Sequence, residues 1–224
     1  MPILTFQTFD DAWDELIQTG HFSLNNAALS LKELYQLYGY VKICSAPLSI
    51  YLCDIRLIPT HTIKSDMPSD VLTQAINTLE QTLLNLLNHD RWQLIQLNKI
   101  ELIENLSLSD DFYYNFLSTS YHSNLKKLNL YLPKASLEPY FMQFLKNNPE
   151  LETLTLDLAY ESNGFIEELA SSITNSPIKK LDLGNTHLDS NAYNALDSLL
   201  DNNYYLQLSV PNADHENEEL HDRY

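Results

Sequence analysis

Two cysteines, Cys44 and Cys53, and seven histidines are the side chains best suited to nucleophilic or metal chemistry. A thiol hydrolase needs a thiolate activated by an adjacent histidine. Cys53 and His61 are close in sequence, but the local pattern predicts Cys53 in a strand and His61 in a loop, with no nucleophile motif around either. His215 and His221, near Glu216, Glu218 and Glu219, lack the spacing of a structural zinc site and read as part of a solvated acidic tail. Four glycines in 224 residues leave no phosphate-cradling loop or dinucleotide fingerprint. These residues point away from catalysis, with no metal and no cofactor expected. An enzyme with an unrecognised site in the N-terminal half is the competing expectation.

The formal net charge is −17. Neutralising phosphate requires clustered lysine and arginine, so neither nucleic acid nor an anionic membrane is an expected partner. A strong negative field instead favours encounter with a basic protein, and it also confers solubility. Residues 211–224 set Asp214, Glu216, Glu218, Glu219 and Asp222 against Arg223, a net −4, so the other −13 belongs to the body of the chain. No apolar run reaches the roughly 18 residues that span a bilayer. The first residues lack the basic and apolar segments of a secretory signal. With only two cysteines, reduced thiols in a cytoplasmic setting are expected rather than a disulfide framework.

The positioning elements come from an internal repeat. Leu125, Leu128 and Leu130 form an L-x-x-L-x-L block, repeated by Leu151, Leu154 and Leu156 and again by Ile178, Leu181 and Leu183, at intervals of 26 and 27 residues. A weaker copy ends at Leu206 and Leu208. Upstream, Trp92, Ile95 and Leu97 fit the block, and Leu52, Ile55 and Leu57 fit it loosely, 40 residues earlier. Between the strands, apolar residues follow helical spacing: Phe112, Phe116 and Leu117; Leu137, Phe141 and Phe144; Phe165, Ile166, Leu169 and Ile173; Tyr193, Leu196 and Leu199. Ser109, Ser136, Asn163 and Ser190 are the predicted helix caps. Asparagine-bearing turns at Asn88, Asn148, Asn175 and Asn202 are predicted to stop helices through left-handed backbone.

Those blocks, with their helices and turns, resemble the ribonuclease-inhibitor-like class of leucine-rich repeats, well over about residues 92–208 and poorly over 48–91. The resemblance implies an α/β leucine-rich-repeat solenoid, with parallel strands on the concave face and helices on the convex face. It departs from the family where Pro133, Ala159 and Thr186, and Ile100 in the Trp92 repeat, replace the asparagine that bonds backbone along the stacked turns. Alternation buries the repeated leucines and presents the intervening residues on the concave face. The predicted partner-binding residues are Asp54, Arg56, Gln96, Asn98, Lys127, Asn129, Tyr131, Thr153, Thr155, Asp157, Lys180, Asp182, Tyr205 and Gln207, with Tyr160 and His187 at the rim. Six strands at about 4.8 Å spacing give a patch of roughly 250–300 Å². A stable interface buries about 800 Å² per partner. Loops at 58–68 and 98–109 are therefore expected to contribute.

The expected organisation is an N-terminal helical capping region at 1–47, repeats at 48–210 and an acidic flexible tail at 211–224. Within the first region, Trp13, Leu16 and Ile17 predict a short helix. Ser23 is the predicted cap of a helix over 24–38, and Val41 to Ile43 read as strand. The longest helix is predicted at 69–88. The glutamate-rich tail and 21 asparagines resemble the short leucine-rich-repeat effectors that Legionella delivers through a type IV system. That resemblance implies host cytosol as a destination and a host protein, an enzyme or another effector as partner. The expected activity is non-catalytic regulation or inhibition by masking a partner's functional surface, with an adaptor that recruits a host protein without inhibiting it as the alternative.

Overall fold

In a computed structural model, residues 8–59, 68–102, 106–119, 122–161, 164–184 and 186–210 are described. The fold is α/β, with strands alternating with helices in each of two compact units, Met1–Leu125 and Lys126–Tyr224. The first unit runs α1 (Phe9–Thr19), β1 (His21–Ser30), α2 (Leu31–Ile43), β2 (Leu48–Ile58), α3 (Ser69–Leu87), β3 (Trp92–Glu101) and α4 (Asp110–Thr119). The second runs β4 (Lys127–Leu132), α5 (Glu138–Asn147), β5 (Thr153–Leu158), α6 (Phe165–Ile173), β6 (Lys180–Asp182), α7 (Ser190–Asn202) and β7 (Gln207–Ser209). Within each unit, consecutive strands pair in parallel, as helical crossovers require. No helix among the described residues is long and apolar enough to cross a membrane.

The second unit follows the repeat. Leu128, Leu154, Leu181 and Leu208 stand in register on four strands, as do Leu130 and Leu156, and all are buried. Each such leucine contributes about 1.5–3 kcal/mol when it leaves water. The predicted helices all form, and Phe141, Phe144, Phe165, Ile166 and Leu169 bury the expected faces. The caps differ from expectation. Asp189, not Ser190, caps α7 by accepting from the Ala192 amide at 2.8 Å. Ser136 lies inside a 3-10 turn, and proline in the first turn of α5 stands in for a side-chain cap. Asn163 is outside the described residues, and α6 starts after Gly164. Among the described candidates, Ser109 alone caps as predicted, accepting from the Phe112 amide while Glu80 of α3 accepts from Ser109.

Helix termination also has a different cause. Asn88, Asn148 and Asn203 all have negative φ, so left-handed backbone is not used there. Asn148 instead donates its side-chain amide to the Phe144 carbonyl at 2.8 Å, while its own carbonyl accepts from Leu151, the first leucine of the next repeat. His122 holds the same place ahead of Leu125, and Asn203 ahead of Leu206.

The first unit departs further from the sequence reading. α1 forms as predicted, with a reciprocal cap between Thr8 and Asp11, and α3 matches 69–88. Residues 24–30, however, are strand rather than helix. The cap of α2 is Ser30, whose backbone N–H donates to Glu33 at 2.7 Å. Val41 to Ile43 close α2 instead of forming a strand, because Val41 continues the buried stripe of Leu34 and Leu37. β1 hides its alternation behind a bulge. Phe22 and Leu24 are buried, the ladder then skips Asn26, and burial resumes at Leu29, an odd position. β2 does the same, with Ile50 and Leu52 buried before Asp54 and Ile55 and Leu57 after it. In β3, Ile95 and Leu97 are buried before the level of Asp54, and Ile100 is buried after it. One extra residue at the same level in each strand reverses which face the following side chains take.

This corrects the register of the Leu52 repeat. Leu52 pairs with Leu97 and Ile50 with Ile95, so Ile55, Leu57 and Leu52 do not correspond to Ile95, Leu97 and Trp92. The true interval between these two strands is 45 residues (Ile50 to Ile95) rather than 40.

Candidate functional site

On the second unit, side chains opposite the buried leucines form rows. Lys127, Thr153, Lys180 and Gln207 make the first row, and Asn129, Thr155, Asp182 and Ser209 the second. Tyr131 and Asp157 make the third. All are exposed or half-buried. The predicted alignment of Asn129, Thr155 and Asp182 is present, and Ser209 extends it. Tyr205 does not join the rows. It lies in the turn before β7, 88% exposed beside the equally exposed Tyr204, because the last repeat is one residue shorter between Leu206 and its strand.

Charge on this face is segregated along the strands. One position before the first row, Lys126 and Lys179 each donate to Glu152 at 2.8 Å across neighbouring repeats. Those hydrogen bonds hold the Glu152 carboxyl down to about 2. The ladder is side-chain specific but half-exposed, so solvent screens it. Lys127 and Lys180 remain exposed on the sheet face, flanking Thr153. Four lysines thus gather at the strand starts of a chain with 13 basic residues. At the other end lie Asp157 and Asp182. Asp182 accepts from the Gly184 amide at 3.0 Å, and a Cβ at Gly184 would overlap the Asp157 carboxylate. Gly184 also has φ +51, so this turn requires glycine on two counts.

The rim residues separate. His187 is exposed in the segment leading to α7. Tyr160 is half-buried with its hydroxyl enclosed, and burial first, then the nearby Glu138 charge, raises its pKa. Burial likewise raises the Glu138 carboxyl. Tyr160 therefore belongs to the packing at the start of α5 more than to an open rim. Thr186 is fully buried. Its hydroxyl accepts from the Leu158 amide at 3.1 Å and donates to the Leu156 carbonyl at 3.3 Å. This hydroxyl ties the turn to the backbone of the preceding strand.

On the first unit the four predicted residues fall into different rows. Gln96 stands beside Tyr51 and Ser23, and Asn98 beside Cys53 and Asn25. Arg56 stands between Ala28 and Glu101, while Asp54 is the bulge residue itself. Sequence reasoning missed β1 entirely, and with it Ser23 and Asn25. The available signal was Phe22-x-Leu24-x-x-x-x-Leu29 set against Ile50-x-Leu52-x-x-x-x-Leu57, a spacing that the bulge makes neither period 2 nor L-x-x-L-x-L. The loop residues 60–67 and 103–105, and the tail from 211 with His215 and His221, lie outside the described residues, as does His61. Among the described residues no group of three His, Cys, Asp or Glu side chains is placed to hold a metal.

No model of a known protein family matches this chain, and a search of curated proteins returns no match.

Proposed function

We propose that the second unit is a short run of leucine-rich repeats whose open sheet face binds another protein, and that the chain acts without catalysis by covering a functional surface of that partner. The observation that carries this reading is the in-register alignment of Lys127, Thr153, Lys180 and Gln207 beside Asn129, Thr155, Asp182 and Ser209, on the side opposite the buried leucines. Parallel strands hold such side chains at about 4.8 Å intervals, so a partner meets a rigid array whose ordering cost was met during folding. Burial of the leucines on every strand fixes which side chains point outward. Tyr131 supplies the aromatic surface that binding sites favour.

The segregated charge adds a constraint on orientation. The field of the chain as a whole attracts a basic protein. Locally, the lysine end of the face prefers an acidic group, and the Asp157 and Asp182 end prefers a basic one. A partner therefore docks in one direction.

The test is affinity capture with the wild-type chain, Thr155→Arg, Asp157→Lys and Lys146→Glu, the last on α5 away from the sheet. Thr155→Arg and Asp157→Lys are expected to weaken capture of the specific partner roughly tenfold or more, equivalent to about 1.4 kcal/mol, with Lys146→Glu unchanged. Equal capture by all four proteins rejects the face as the binding surface. Purified partner then separates masking, which suppresses its activity, from recruitment, which leaves it intact.

A further inference from the structure

Around Asn26 and Asp54 the sheet of the first unit carries a half-open pocket of about 330 Å³. Asn26, Ala28, Asp54, Arg56 and Glu101 provide its polar and open walls. Ala28, Arg56 and Glu101 are one row across β1, β2 and β3, so the single-carbon side chain of Ala28 leaves a hollow on one flank of Arg56. Just before this row stand Asn26 and Asp54, both with φ 50 and both at the same level of adjacent strands. After glycine, Asn and Asp are the residues that take this left-handed backbone most readily, because their short polar side chains can hydrogen-bond locally. Two adjacent strands therefore share the same left-handed step at the pocket wall.

The chemistry of the walls restricts the ligand. Arg56 is exposed and, among the described residues, makes no hydrogen bond or ion pair, although Glu101 is its in-register neighbour. A guanidinium presents a planar fork suited to a carboxylate. Glu101 and Asp54 oppose an anion that lacks a compensating cation. The volume lies at the small end of ligand pockets, which run about 300–1,000 Å³. We propose that this cavity binds a small zwitterion, with its carboxylate on Arg56 and its ammonium toward Glu101, as a free α-amino acid or a dipeptide would present them. The site is separate from the face proposed above and does not depend on it.

Amide chemical-shift titration of the full chain tests this, using L-alanine, L-alanyl-L-alanine, acetate and methylammonium as probes. The expected result is saturable shifts at residues 26–28, 54–56 and 101 for at least one zwitterion. Acetate and methylammonium should need roughly tenfold higher concentrations. The tighter of the two zwitterions identifies the source, amino acid or peptide. Arg56→Ala removes the saturable shift, and Glu101→Gln weakens the zwitterion without weakening acetate. Three results overturn the proposal: no saturable shift from either zwitterion, acetate binding as tightly as the zwitterion, or full binding by Arg56→Ala.

Discussion

The two units solve one packing problem in different ways. In the second, strands recur every 26 or 27 residues, side chains alternate without interruption, and register follows from the positions of the leucines. In the first, the intervals from Phe22 to Ile50 and from Ile50 to Ile95 are 28 and 45 residues, and a bulge in each strand reverses the alternation midway. The lesson is that a leucine pattern reports register only while alternation is unbroken. One extra residue per strand preserves the core yet changes every subsequent assignment of inside and outside.

The sharpest way to break this comparison is to insert one alanine between Thr155 and Leu156. Leu156 and Leu158 would then face water, an expected loss of roughly 3–6 kcal/mol at about 1.5–3 kcal/mol each. The same insertion between Cys53 and Asp54 should cost less, because the ladder between β1 and β2 is already interrupted at Asp54. Urea denaturation measures both, and equal losses would mean that the bulge confers no tolerance.

A second contrast lies at the turns, where the first unit uses His122 and the second Asn148. His122 is fully buried with its Nδ1 3.2 Å from the His89 carbonyl, and burial lowers its pKa to about 4 from 6.5. The unfolded chain binds the proton more readily, so stability is complete above about pH 6.5 and falls as pH drops toward 4. The loss is roughly 3 kcal/mol at 1.36 kcal/mol per pH unit. Stability curves between pH 7 and pH 4 should show this slope, and His122→Asn should flatten it. An unchanged slope in the variant would place the titration elsewhere.

Thr186→Val tests whether a hydroxyl carries the turn of the second unit. It leaves the buried Leu158 amide without its partner and should cost about 1–2 kcal/mol. A neutral result would show that the backbone compensates. The smallest effects concern left-handed positions and should have opposite signs. Asn26→Gly relieves backbone strain and should stabilise by up to about 1 kcal/mol. Gly184→Ala should destabilise by about 1–2 kcal/mol, with the Asp157 contact adding to the backbone cost. Thermal or urea midpoints of the two variants moving in the same direction would contradict the assigned conformations.

Sequence was most informative about the second unit. Lys127, Asn129, Tyr131, Thr153, Thr155, Asp157, Lys180 and Asp182 were legible there because each sits at a fixed offset from a leucine that must be buried. Tyr205 was misplaced by a one-residue shortening, which a weak final copy of the block conceals. Asp54 and Arg56 were recognised as outward-facing, but their neighbours were not, since Glu101 and Ala28 become row partners only through matching bulges. Cap identities were legible as residue types and erred by one or a few positions, because the helix start depends on where the preceding turn delivers the chain.

Composition and periodicity alone thus determined an α/β chain of parallel strands and crossover helices, its acidic charge, and the leucines that form its core. Hydrophobic burial acts locally through side-chain period, and that information is written residue by residue. Tertiary structure alone decided the strand at His21–Ser30, the register of β2 on β3, the lysine–glutamate ladder through Glu152 and the cavity at Arg56. Each of these depends on which backbone atoms of distant segments meet, and a bulge that leaves composition and spacing almost unchanged is enough to alter that choice.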